Sequence, residues 1–174
     1  MVYCVSRVHH CGALVQAGDT KEPKMGMTQS LFTGEHPRTL DPKKRLTIPS
    51  EWRDYAELSA GLYVLPDLEG GQFLNVYPAR EMMERLQSLR NLSIADVKGR
   101  QFARLLGSKS QLVPWDSVGR IRINDGLLAH AKLTDEVILL GAFDHFELWN
   151  PELWKQVSPA GTADLGEAAR HVGI

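Results

Sequence analysis

The sequence is short of the residues and runs that mark several classes of protein. Its 174 residues include only two cysteines, Cys4 and Cys11, too few for a disulfide framework. No apolar run approaches the roughly 18 residues that a membrane helix requires, and residues 1–12 lack the ordered regions of a signal peptide. A glycine-rich phosphate loop, a His-Glu helix pair and a nucleophile elbow are also missing. We therefore predict a non-enzymatic protein of the cytoplasm.

The first 30 residues show no helical or strand periodicity. We predict a disordered leader there, or a true start of the protein at Met25 or Met27. Two cysteines and two histidines in this segment carry groups that suit zinc, but their spacing matches no standard zinc pattern. We predict neither a metal nor a cofactor.

The net charge is only −1, but it is unevenly distributed. Residues 36–53 hold five basic against two acidic side chains, residues 80–104 six against three, and residues 107–122 three against one. Beyond Ile123 the chain holds eight acidic against three basic side chains. Because local fields rather than total charge attract a polyanion, the basic regions are candidates for contact with nucleic acid.

One nine-residue pattern occurs twice. Residues 40–48 read LDPKKRLTI and residues 115–123 read WDSVGRIRI, each with an Asp, three residues, an Arg and an alternating apolar strand. The similarity extends over about forty residues, with Tyr63 aligned to Val137 and Val64 to Ile138. Since so short a unit cannot bury both of its faces alone, we predict that the two copies share one core.

The same elements are predicted in each copy. A strand leads into the turn, and a second strand, a short helix and a β-hairpin follow. In the first strand, Gly34 and Pro37 are interpreted as breaks. The predicted helix caps are Ser50, Asn124 and Asn150.

Two helices are predicted between the copies. One begins at Pro78, and the other has a capping box of Ser93 and Asp96, carries Phe102, Leu105 and Leu106, and ends at Gly107. The predicted organisation is a leader (1–30), a first module (31–79), connecting helices (80–106), a second module (107–149), and a C-terminal helix and tail (150–174).

The two Asp residues have a structural interpretation that requires no ligand. Asp41 and Asp116 can accept backbone N–H groups and so fix the turns, and Gly119 can adopt a positive φ at no steric penalty. Lys44 stands at the Gly119 position in the first copy, so that turn must tolerate strain of about 1 kcal/mol or take another form. The alternative role, an acid/base pair, is disfavoured because the neighbouring Arg keeps each carboxylate ionised.

The Arg residues of the turns are the candidate ligand-binding groups. A guanidinium held by a fixed turn can pair bidentately with a guanine edge or a phosphate, whereas the simpler interpretation is a solvated basic tip. Two equivalent tips suggest two contacts on a repeating ligand, and double-stranded DNA is such a ligand. The candidates for base or phosphate contact are Arg45 and Arg120. Further phosphate contacts are expected from Lys43, Lys44 and Arg122. Arg38 is a weaker candidate.

The repeated Asp-x-x-x-Arg turns resemble those of the MraZ family of bacterial transcriptional regulators. The Ile48-Pro49 strand ending and the closing segments VILLG (137–141) and FELW (146–149) share this resemblance, which covers about residues 31 to 157. It implies an α+β fold of two AbrB-like swapped-hairpin modules that form an internal pseudo-dimer, with chains assembling into rings. It also implies binding to short direct repeats upstream of the protein's own operon in the division and cell-wall gene cluster, usually as a repressor, and hence a nucleoid association.

The chain departs from the family pattern at Lys44, where glycine is usual, and at Asn124, where a proline often follows the second strand. A different class of function is also compatible with AbrB-like hairpins, namely a protein-interaction module of the antitoxin type. Such a module would bind its partner through the long helices and the apolar tail, and the basic turns would be secondary.

Overall fold

The computed structural model describes residues 32–57, 61–90 and 96–158, together with residues 166, 169–171 and 173. The predicted leader, its Cys and His residues and the predicted cap Ser93 lie outside the described residues. The α+β class is confirmed, because the described chain forms five helices and eight strands, all paired antiparallel. None of these helices is long and apolar enough to cross a bilayer.

Six strands form the main sheet. They lie in the order β1-β7-β8-β4-β3-β5 and comprise β1 (Glu35–Thr39), β3 (Leu62–Pro66), β4 (Leu74–Pro78), β5 (Gln111–Val113), β7 (Glu136–Gly141) and β8 (Phe146–Trp149). The strand that leads into each turn pairs with the hairpin of the other copy, since β1 pairs with β7 and β5 with β3. The two copies therefore exchange strands, and each hairpin receives a third strand from the other copy.

A separate two-stranded ribbon joins β2 (Arg45–Thr47) to β6 (Arg120–Arg122), the strands that follow the two turns. Leu46 lies opposite Ile121 in this ribbon, and Asn75 lies opposite Glu147 where β4 meets β8. In each of these two pairs, the residues that lie opposite each other hold equivalent positions in the two copies. The copies are thus related by an approximate two-fold axis through the ribbon and the centre of the sheet.

The pairing corrects the sequence alignment of the hairpins by one residue. Val76 and Leu148 align in the repeat. In the first hairpin Val64 lies opposite Val76, and in the second Leu139 lies opposite Leu148. Val64 is therefore the counterpart of Leu139, not of Ile138. A shift of one residue moves a side chain to the other face of a strand, and apolar residues on both faces of these strands concealed the correct register.

One core holds the residues of both copies together. An aromatic cluster lies at its centre, with the Phe32 ring 5.4 Å from that of Trp52 and 5.1 Å from that of Phe146. The shared core that the repeat predicted is present, and it consists of Phe32, Leu46, Ile48, Trp52, Leu62, Val64, Leu74, Val76, Val113, Ile121, Ile123, Leu127, Leu128, Ala131, Leu133, Val137, Leu139, Phe146 and Leu148.

The helices surround this sheet, and two of the predicted caps are confirmed. They are α1 (Ser50–Glu57), α2 (Ala79–Arg90), α3 (Val97–Lys109), α4 (Asp125–His130) and α5 (Pro151–Val157). The Asn124 side chain accepts the Leu127 N–H at the start of α4, and Asn150 accepts two N–H groups at the start of α5. Ser50 lies within α1 as its first residue, and its hydroxyl donates to Glu51.

Several predicted boundaries were wrong. Asp96 is itself the N-cap of α3 and accepts the Gly99 N–H at 2.8 Å. The helix continues past Gly107 to Lys109, because an isolated glycine lowers helix stability by only about 1 kcal/mol. Pro37 does not break the first strand but lies within β1, an edge strand, where a missing N–H is tolerated.

The apolar residues of α3 are mostly exposed. Leu106 is buried against Leu65 and Met82 in a small second cluster. Phe102 and Leu105, which the sequence placed on the same helix, are 41% and 59% exposed. This helix therefore presents an apolar surface outward.

Candidate nucleic-acid interface

The first turn is held by the carboxylate of Asp41. One oxygen, Oδ1, accepts the backbone N–H groups of Lys43 and Arg45 at 2.8 and 2.9 Å. The other, Oδ2, accepts Nε–H of Arg45 at 2.6 Å and lies 2.6 Å from an Nη of the same guanidinium. The same carboxylate thus fixes both the backbone of the turn and the direction of the arginine.

The second turn repeats the two backbone contacts and the Nε contact of the first. Asp116 Oδ1 accepts the N–H groups of Val118 and Arg120 at 3.0 and 2.9 Å, and Oδ2 accepts Nε–H of Arg120 at 2.7 Å. Burial alone would raise the pKa of each Asp, but the hydrogen bonds and the charge of the arginine hold both below their ordinary value. Both carboxylates are therefore ionised at neutral pH and are acceptors only.

The two turns lie side by side because the ribbon pairs the strands that follow them. Arg45 is directly opposite Arg122, and Arg120 is opposite Thr47. A guanidinium nitrogen of Arg120 also lies 4.0 Å from Asp41 Oδ2, across the copies. Leu46 and Ile121 are fully buried beneath the ribbon, so the basic residues lie on its outer side.

The outer side of the ribbon carries an excess of positive charge. The two turns and strands contain five basic side chains and the two Asp residues. Each Asp is paired with its own arginine, whereas Lys43, Lys44 and Arg122 have no ion pair within the described part of the chain. Their positive charge is directed to solvent rather than neutralised by the fold.

The comparisons with known proteins support a single family. A family model described as "MraZ protein, putative antitoxin-like" matches residues 108–169. The protein named transcriptional regulator MraZ from Neisseria gonorrhoeae (strain NCCP11945) is 33% identical over 126 residues, which are 72% of this chain and 83% of the relative. The chain belongs to the MraZ family. The resemblance recognised from the turns is confirmed.

Other MraZ relatives cover still more of the chain. The transcriptional regulator MraZ of Roseiflexus castenholzii is 33% identical over 134 residues, or 77% of this chain and 91% of the relative. That of Corynebacterium urealyticum is 31% identical over 135 residues, or 78% and 92%. The names of these relatives support transcriptional regulation as the general function of this MraZ chain, and they do not name an enzyme.

The structure adds a residue to the turns that sequence reasoning did not identify. Arg53, on α1 of the first copy, donates from Nε to the Ile48 carbonyl at 3.0 Å and from Nη1 to the Val118 carbonyl at 3.2 Å. It therefore connects the second turn to the first copy across 65 positions of sequence. Its counterpart in the repeat is Leu128, which is buried, so only the second turn has this support.

The remaining predicted residues differ in their positions. Lys44 and Gly119 both have positive φ, at 59° and 77°, so the first turn keeps its form and Lys44 tolerates the strain. Arg38 lies on β1 of the main sheet, not on the ribbon, and its guanidinium donates to the Pro37 carbonyl at 2.9 Å. The predicted residues other than Arg38 thus come together on the ribbon and its turns.

Metal binding finds no support in the described ranges. No group of three or more His, Cys, Asp or Glu side chains there is arranged to hold a metal ion. The paired carboxylates are occupied by backbone N–H groups and arginines, which leaves them unsuited to proton transfer.

Proposed function

We propose that this MraZ-family protein is a sequence-specific DNA-binding transcriptional regulator that contacts DNA through the two Asp-x-x-x-Arg turns and their ribbon. The observation that carries the proposal is the pairing of β2 with β6, which brings the basic residues of both copies onto one surface. A two-stranded β-ribbon fits the major groove of B-DNA. The unpaired charges of Lys43, Lys44 and Arg122 are suited to the phosphates on either side.

The geometry of each arginine supports a directed contact rather than a diffuse one. Asp41 binds Nε and one Nη of Arg45 from the side, which leaves one outward N–H on each Nη at the end of the guanidinium that is not directed at Asp41. That end can donate two parallel hydrogen bonds to guanine O6 and N7 or to a phosphate. Because Asp41 already fixes the rotamer, binding would sacrifice less side-chain entropy than for a free arginine.

The family resemblance supplies the target and the assembly. We propose binding to short direct repeats upstream of the protein's own operon in the division and cell-wall gene cluster, with repression as the outcome and the nucleoid as the location. The modules 31–79 and 107–149, joined by helices 80–106, would form one DNA-binding unit. Assembly of chains into a ring would engage several repeats at once, and avidity would raise affinity without any new type of contact.

An exposed apolar surface on α3 supports self-association. On this helix Val97 is 65% exposed and Leu105 59% exposed. Leu68, which lines the same groove as Leu105, is also 59% exposed. A groove of about 540 Å³ runs between Leu68, Phe102, Leu105 and the start of α4. Contiguous exposed apolar side chains of this kind are typical of protein interaction sites.

The decisive experiment measures binding to the DNA upstream of the protein's operon across a salt series. The parent should bind with an affinity that falls steeply with salt, because neutralised phosphates release counterions. The Arg45→Ala, Arg120→Ala double variant should lose its preference over unrelated DNA. The matched control is an Arg80→Ala, Lys155→Ala double variant, which also removes two positive charges but lies on α2 and α5 and should keep that preference. Equal losses in both variants, or no binding by the parent, would overturn the proposal.

Self-association is tested separately by light scattering. Leu105→Glu places a charge on the apolar surface of α3 and should reduce the measured mass, whereas Gln101→Glu, on an exposed position of the same helix, should not. A parent that is monomeric at all concentrations would contradict the ring.

A second candidate is an antitoxin-type interaction module, which the antitoxin-like description of the matching family model favours. In that case the exposed surface of α3 would bind a small toxin encoded by a neighbouring gene. Co-expression with that gene product should then give a complex that survives the Arg45→Ala, Arg120→Ala change and is lost on Leu105→Glu. Absence of a complex would remove this candidate.

A further inference from the structure

The two turns have the same backbone hydrogen bonds but would present different side chains to a ligand. Lys43 and Val118 are counterparts, since the N–H of each is accepted by the Asp Oδ1 of its own turn. The next position holds Lys44 in the first turn and Gly119 in the second. The first tip is therefore doubly cationic and the second is uncharged, although both end in the same Asp–Arg pair.

Val118 is an unusual residue for the tip of a basic ribbon. Its side chain is 52% exposed, although isopropyl groups are usually buried. Its backbone is held at both ends, with the N–H on Asp116 at 3.0 Å and the carbonyl accepting Arg53 Nη1 at 3.2 Å. An exposed side chain is thus carried on a backbone that is held at both ends, as a residue that reads a ligand by shape needs to be.

The support from Arg53 also requires the small neighbour of Val118. A Cβ at Gly119 would lie 2.6 Å from Cδ, Nε and Nη1 of Arg53, so a larger residue would displace the guanidinium. The first turn has no equivalent arginine, because Leu128 stands at the corresponding place. The second tip is therefore built to hold an apolar side chain rigidly, and the first to carry charge.

We propose that the two tips read DNA unequally, with Val118 packed against the 5-methyl group of a thymine in the major groove while Lys43 and Lys44 contact phosphates. This inference rests on the proposed DNA-binding function and adds a specificity-determining residue to it. The chemistry fits because the thymine methyl is the one apolar group that a base pair presents in the major groove. A lysine at that place would present a charge, not an apolar surface, to the methyl group.

The test compares thymine with uracil in the same duplex. A duplex that the protein itself selects from a random-sequence pool is prepared with deoxyuridine in place of thymidine, which removes only the methyl groups. Parent binding should weaken about three- to fivefold for each contacted methyl, as expected for one buried methyl group. Val118→Ala should bind thymine DNA more weakly by a similar factor and should lose its sensitivity to uracil.

Lys43→Ala is the matched control at the equivalent position. It should remain sensitive to uracil, while the slope of log affinity against log salt decreases by about one. Equal parent affinity for the two duplexes, or a Val118→Ala variant as sensitive to uracil as the parent, would overturn this inference alone. A parent that selects no sequence from the pool would overturn the proposed function and this inference with it.

Discussion

Exchanging the residues at the left-handed position of the two turns should have unequal effects on stability. Lys44 has φ of 59°, and Lys44→Gly relieves strain of about 1–2 kcal/mol while losing about 0.5–1 kcal/mol through greater unfolded-state entropy. We expect a net stabilisation of about 0.5–1 kcal/mol. The reverse change, Gly119→Lys, should lose a similar amount from the backbone alone.

Gly119→Lys has an additional effect that Lys44→Gly lacks. The new Cβ would lie 2.6 Å from Arg53 atoms, so the flexible guanidinium must move and release the Ile48 and Val118 carbonyls. Two such hydrogen bonds contribute about 1 kcal/mol each, which brings the expected loss to about 3 kcal/mol in total. In an Arg53→Ala background only the backbone part should remain, so the two changes should couple by about 2 kcal/mol.

Urea unfolding measures these differences. Trp52, one of the four tryptophans, is 2% exposed and lies against Phe32 and Phe146, so the tryptophan fluorescence includes a probe of the shared core. Protein concentration must be equal throughout, since self-association shifts apparent stability. The reasoning is refuted if Gly119→Lys is equally destabilising with and without Arg53, because the arginine would then make no contribution to the turn.

Three further predictions follow from the same contacts. Phe32→Ala should destabilise the protein by about 3–5 kcal/mol, measured by the same urea unfolding, because Phe32 is fully buried between Trp52 and Phe146; a loss below about 1 kcal/mol would place it outside the core. Asp116→Ala should lower the urea midpoint more than Arg120→Ala, since the Asp116 carboxylate accepts two backbone N–H groups of the turn, whereas the Arg120 guanidinium donates to that carboxylate; the opposite order would show that the turn does not depend on the carboxylate. Burial lowers the pKa of His145, although Glu147 acts in the opposite direction, so its unfolded form binds more protons and thermal stability should fall as pH decreases below about 6.5. His145→Gln should make Tm depend less on pH between pH 7.5 and 5.5. If the slope of Tm against pH is unchanged, the loss of stability comes from other titrating groups.

Much of the candidate site could be predicted from the sequence because its determinants are local. Asp41 and Arg45 are four residues apart, so their pairing depends on one turn, and the repeat at Asp116 and Arg120 makes the pattern specific. The caps Asn124 and Asn150 were recognisable for the same reason, since each bonds within its own first helical turn. The shared core could be predicted from the repeat, because a unit of about forty residues cannot bury its apolar faces alone.

Only the tertiary structure decided which segments meet. The register of the hairpins depends on strand pairing between copies, and apolar residues on both faces of Leu62–Pro66 and Glu136–Gly141 allowed two alignments. The position of Pro37 within a strand depends on that strand lying at the edge of the sheet. Arg53 reaches Val118 from a helix of the other copy, a contact that no local pattern encodes because it is created by the fold. Sequence thus determined the chemistry of each turn, and the exchange of strands between copies placed the two turns side by side and made them different.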